Sequence, residues 1–71
     1  MSDSTKTLAE ALPAEMARVR VVLGHYREIG PVGMIGASFI ERDLQAADRA
    51  VMSGDVVAML RSYESLKQIK D

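Results

Sequence analysis

The chain has 71 residues, with nine Lys and Arg against ten Asp and Glu, one His and no Cys. That length holds one domain with a thin core, and the absence of cysteine excludes disulfides, cysteine-ligated zinc and cysteine nucleophiles. A formal net charge of −1 fits neither a strongly basic nucleic-acid binder nor an acidic mimic of nucleic acid.

Residues 1–7 are polar and read as a disordered tail, with residues 8–71 as the single helical domain. The start lacks the apolar core of a signal peptide, and no apolar run approaches the roughly 20 residues that span a bilayer. A cytoplasmic protein is expected. Thr7 and Glu10 have the T-x-x-E spacing of a capping box, so a helical turn can begin there. Pro13 interrupts that turn and is better placed in the first turn of the main helix.

The first predicted helix therefore spans about 13–29. Leu12, Met16, Val19, Leu23 and Tyr26 recur at alternating spacings of four and three, and Val22 and Ile29 widen the stripe. Arg18 and His25 fall on the opposite side, while Arg20 and Arg27 flank the apolar edge. Gly30 and Pro31 close this helix.

The segment EIGPVGMIGASF, residues 28–39, carries Gly30, Gly33 and Gly36. It lacks the lysine of a P-loop and the glycine pair of a dinucleotide fingerprint, and a helix precedes it rather than a strand. The opening amides of the next helix, around Gly33–Ala37, are the one feature that could hold an anion. The plainer expectation is a corner: Gly33 permits the reversal, Gly36 permits close backbone contact, and the apolar Val32, Met34 and Ile35 either fold back over the open end of the bundle, the favoured reading, or meet another chain. GPVG shares the form of the KH-domain loop without its flanking strands or basic residues.

The second predicted helix spans about 34–53. Ala37, Ile40, Leu44, Ala47 and Val51 form its central stripe, extended by Phe39, Ala46 and Ala50. So wide an apolar arc should touch two neighbours. Ser53, Gly54 and Asp55 read as a stop followed at once by a start. The third helix spans about 56–69, with Val56, Met59, Leu60, Tyr63 and Leu66 expected inside and Ile69 at the edge. The prediction is an all-α three-helix bundle with an antiparallel hairpin of the second and third helices.

Few residues carry candidate chemistry. Asp43 lies within the apolar arc of the second helix, where a carboxylate needs a partner. Arg20 or Arg27 is the expected partner of this candidate buried charge. His25 is expected to be exposed, with no carboxylate pattern beside it for acid–base work. Glu41, Asp43 and Asp48 spread around a helix and match no EF-hand spacing. No catalytic set, metal or cofactor is expected, and the chain reads as a non-enzyme.

AADRAVMSGDVVAMLRSYESL, residues 46–66, resembles one helical hairpin of the tetratricopeptide type, although a solenoid takes at least about three units. From about Leu8, the segments LPAEMARVR, IGPVGMIGASFIERDL and SGDVVAML resemble small uncharacterised helical proteins of bacterial prophages and mobile elements. That resemblance implies no activity and no catalytic residues. It implies a partner encoded by phage or host.

Apolar residues outside the predicted stripes point to protein binding, including homodimer formation. Val21, Val32, Met34, Ile35, Met52 and Val57 are the candidate partner-binding residues. The competing expectation is a helix-turn-helix-like nucleic-acid regulator, suggested by the four-residue spacing of Ala50 and Gly54. Arg18, Arg20, Arg27 and Arg61 would be its basic contacts. Against it, Arg49, Ser53 and Asp55 occupy positions usually apolar in that motif. The exposed surface of the reading helix would also be mixed in charge. No membrane or small-molecule partner is expected.

Overall fold

A computed structural model describes residues 7–71, and the rest of the predicted tail, residues 1–6, lies outside the described residues. Three helices pack as a bundle: α1 (Leu8–Ile29), α2 (Pro31–Ser53) and α3 (Val56–Lys67). All three pairs of helices touch. The predicted class and helix order hold, including the hairpin of α2 and α3.

The capping box starts α1 outright. The Thr7 hydroxyl accepts from the Glu10 amide at 3.3 Å, and the Glu10 carboxylate accepts from the Thr7 amide at 3.2 Å. Two opening N–H groups are satisfied before Pro13 is reached. Two expectations change here. Thr7 belongs to the helix cap rather than to a tail, and Pro13 lies inside α1 rather than in its first turn. The ring is exposed, and the residues before it are held by the cap and by Leu12, which is fully buried. Cap and core contact together outweigh the one backbone bond that proline forfeits.

The turn between α1 and α2 is shorter than expected. Gly30 alone separates them, with φ 103° and ψ −154°, a conformation open essentially to glycine. Pro31 is the first residue of α2, where a missing N–H costs nothing. The predicted start near Met34 is thus three residues late, and Gly33 sits inside the helix instead of reversing the chain. A Cβ at Gly33 would strike the Tyr26 carbonyl oxygen and approach the Ile29 Cβ to 2.9 Å. A Cβ at Gly36 would lie 2.6 Å from the Tyr26 ring. Both glycines let α2 come onto the end of α1.

The core is one cluster. Leu12, Met16, Val19, Val22 and Leu23 of α1 meet Ala37, Ile40, Leu44 and Ala47 of α2 and Leu66 of α3. Leu12, Val19 and Leu66 are its largest fully buried side chains. Each contributes about 1.5–3 kcal/mol relative to exposure.

Gly54, with φ 70°, ends α2 in the left-handed conformation, its amide donating to the Ala50 and Val51 carbonyls. The Asp55 carboxylate then accepts from the Ala58 amide at 3.2 Å and caps α3. At the far end the Arg18 guanidinium donates to the Leu66 carbonyl at 2.9 Å. A cation from α1 thereby covers the negative end of α3. The helix stops at Lys67, two residues before the predicted end.

Its inward face is rotated from the one expected. Met59, Tyr63 and Leu66 pack on the core as expected and Ile69 joins them beyond the helix end, but Ser62 is buried beside them while Val56 and Leu60 are exposed. Apolar residues occur on both sides of Met59, so hydrophobicity alone left the rotation open. Buried Ser62 is the small side chain that turns inward.

Length matters more than rotation for the surface. With 12 residues against 22 and 23, α3 is about 18 Å long beside neighbours of about 33–34 Å. It runs back from the end of α2 and covers only about half of it. This is why Phe39 and Ile29, expected in the apolar stripes, are exposed. Val51, predicted in the central stripe of α2, is also exposed, because it lies in the last turn before the hairpin.

Candidate interaction surface

Eleven large apolar side chains are exposed among the described residues, and they are not scattered evenly. Ile29, Val32, Met34, Ile35 and Phe39 gather at the α1–α2 end. Val51, Met52, Val56, Val57 and Leu60 gather at the α2–α3 end. Val21 stands apart on α1. All six residues expected to bind a partner are therefore exposed, and the neighbours Ile29, Phe39, Val56 and Leu60 join them.

The first group is the more continuous. Val32, Ile35 and Phe39 follow i, i+3, i+7 spacing and share one face of α2. Val32 is 81 % exposed, Ile35 69 % and Phe39 55 %. The chain reaches α1 at Arg18 through Leu66 and at His25 through Asp71. Ile29 lies a further turn along α1, past the last of these contacts. The bare apolar strip thus begins where the third position of the bundle runs out.

Charged groups frame the bundle. Arg20 pairs with Asp48 at 3.8 Å, and Arg27 pairs with Glu41. Both pairs join α1 to α2 at the exposed rim, where each contributes about 0–1 kcal/mol. Neither arginine reaches Asp43, so the expected buried pair does not form. Asp43 is half-buried at the border of the apolar arc, a position wet enough to keep a carboxylate hydrated. Periodicity puts it within the arc but does not tell the arc's rim from its centre.

Arg18 joins Glu15 at 2.8 Å, and its hydrogen bond holds the Glu15 carboxyl below the usual range. His25 is exposed as expected, yet it meets a partner 46 residues away. Its Nδ1 lies 2.7 Å from the Asp71 carboxylate. That hydrogen bond, then the attraction of the same charge, raises the imidazole above its ordinary value. No spacing rule links residues 46 positions apart.

The geometry bears on the other chemical readings. At the start of α2, Pro31 offers no N–H and the Met34 amide donates to Gly30. The Tyr26 carbonyl oxygen crowds Gly33, so the helix start faces an electronegative atom. Among the described residues, no group of three or more His, Asp or Glu side chains could hold a metal. Three of the four arginines considered for nucleic acid, Arg18, Arg20 and Arg27, already have carboxylate partners. No described helix is long and apolar enough to cross a membrane.

Two aromatic rings carry cations on the outer surface. The Arg42 guanidinium lies 5.1 Å from the Phe39 centroid, and the Lys67 ammonium lies 5.4 Å from that of Tyr63. Such contacts are worth about 0.5–1 kcal/mol at exposed sites. Phe39 stays largely exposed beside its cation.

Compared with protein-family models, curated proteins and solved structures, the chain matches none.

Proposed function

We propose that this chain is a small non-enzymatic interaction module that binds another protein, including a second copy of itself, through the bare apolar face of α2. The observation that carries this reading is the strip Val32, Ile35 and Phe39, exposed because α3 covers only half of its neighbour. A continuous strip at helical spacing is the form in which helix-on-helix recognition is read. Its burial is favourable at about 25 cal/mol per Å² before the losses of association are counted. The module is assigned to the cytoplasm. By its resemblance to prophage-type proteins, its partner belongs to the phage or its host.

Capture from host lysate on the full immobilised chain tests the reading. Ile35→Glu puts a charge into the strip and abolishes capture, whereas Val21→Glu, on the isolated apolar residue of α1, preserves it. Capture that responds equally to both changes overturns the assignment of this face.

A further inference from the structure

Val32, Phe39 and Ala46 recur at every seventh residue of α2 and form one stripe. Ile35, Arg42 and Arg49, each three residues further on, lie along one edge of it. Gly36, Asp43 and Ala50, each four further on, lie along the other. Arg42 and Asp43 are consecutive, about 100° apart around the helix, and so face each other across the stripe from opposite edges. Among the described residues neither has an ionic partner, although Arg20, Arg27 and Arg18 all do.

We propose that two copies of the chain pair in parallel through α2, so that Phe39 packs on its equivalent and Arg42 of each copy meets Asp43 of the other. This rests on the reading of α2 as an interaction face and names the partner. The charges select the orientation. In a parallel pair the twofold axis runs along the helices, and each edge meets the opposite edge of the other copy. Arginine then meets aspartate twice, once on each side of the axis. In an antiparallel pair the axis lies across the helices, and each edge meets its own kind. Arginine then faces Ile35 or another arginine, aspartate faces Gly36, Ala50 or another aspartate, and the opposite charges do not meet.

The contact is carried by Val32 and Phe39 with Ile35, Arg42 and Asp43 at their edges, because Gly36 lies against the Tyr26 ring of its own chain and Ala50 is buried in its own bundle. An isologous contact of this type closes on itself and stops at two chains. One helix face offers less than the roughly 800 Å² per partner of a stable interface. The pair is therefore reversible rather than obligate.

Sedimentation equilibrium of the full chain from about 10 μM to about 1 mM tests this. The unmodified chain shows a reversible monomer–dimer equilibrium. Arg42→Asp and Asp43→Arg each weaken it by about tenfold or more, and the two together restore it, because the exchanged charges again meet across the axis. The absence of native cysteine supplies a second readout that does not depend on the charge variants. Val32→Cys and Ala46→Cys sit two heptads apart, about 21 Å, and in a parallel pair each oxidises to a disulfide-linked homodimer. An antiparallel pair brings at most one of them to its own twin.

A chain that stays monomeric at the highest concentration overturns the pairing. So does a dimer indifferent to both charge reversals, or one in which only one of the two cysteines closes. A monomer that still captures a protein through Ile35 refutes the self-pairing alone. A chain that neither pairs nor captures refutes the interaction reading as well.

Discussion

The two corners of the bundle are built from similar residues and work differently. At the α1–α2 corner one residue, Gly30, makes the connection, and Gly33 and Gly36 bring α2 against the Tyr26 carbonyl and ring. At the α2–α3 corner, Gly54 and Asp55 join the helices through hydrogen bonds, and a Cβ on Gly54 would meet nothing within 4 Å. The first corner is a packing contact between helices. The second is a pair of caps exposed to water. A glycine in a sequence signals one or the other, and only the neighbours it meets in space distinguish them.

The strongest challenge to this contrast is Gly33→Ala. The added methyl strikes backbone, so the helices must separate, and urea unfolding should show a loss of about 3 kcal/mol. An effect below that of the Gly54 substitution would mean that the first corner is not tightly packed. Gly54→Ala meets no neighbour but keeps an unfavourable left-handed backbone, and a loss of about 1 kcal/mol is expected by the same measurement. Gly24 sharpens the comparison from a third position. It lies inside α1 with normal backbone angles and open space around it. Gly24→Ala should therefore raise stability by about 0.5–1 kcal/mol, visible as a higher Tm.

The smallest expected effect concerns the contact between His25 and Asp71. The folded state raises the imidazole above its ordinary value of 6.5. Its contribution is therefore present below that value and fades as pH rises through the folded one. In an NMR titration, Asp71→Asn should move the His25 midpoint down toward the ordinary value. An unchanged midpoint would show that the contact does not persist in solution. Both side chains are at least half exposed, so the effect on Tm should be slight.

Much of the fold was legible from spacing. The stripe through Leu12, Met16, Val19 and Leu23 and the stop-and-start at Ser53–Asp55 both held because each rests on local geometry. Pro13 reads as a helix start on its local cost alone, and the Thr7 cap and the buried Leu12 beside it offset that cost. Met34 misled as a helix start because glycine and proline there suggested a loop, when Gly33 was needed inside α2 for the Tyr26 contact. Ser62 was overlooked because a small polar side chain carries no hydrophobic signal, yet it sits where α3 turns inward. The exposure of Val32 and Ile35 was legible because both lie outside the apolar stripes. That of Phe39 was not, because it depends on where α3 ends, a property of the bundle and not of α2. Asp43 reads from periodicity as a buried charge inside the arc, yet it is half-buried at the border, and Arg20 and Arg27 pair with Asp48 and Glu41 instead, since pairing depends on which rim faces α1.

The single residue joining α1 and α2 also bears on how the molecule assembles. A loop that short closes with little entropic penalty, and it brings the two long helices together through contacts near in sequence. Chains dominated by such neighbours fold in microseconds to milliseconds. The α1–α2 pair should therefore form the early nucleus, with α3 docking afterwards and opening first. Amide exchange faster in α3 than around Val19 and Ala37 would record that order.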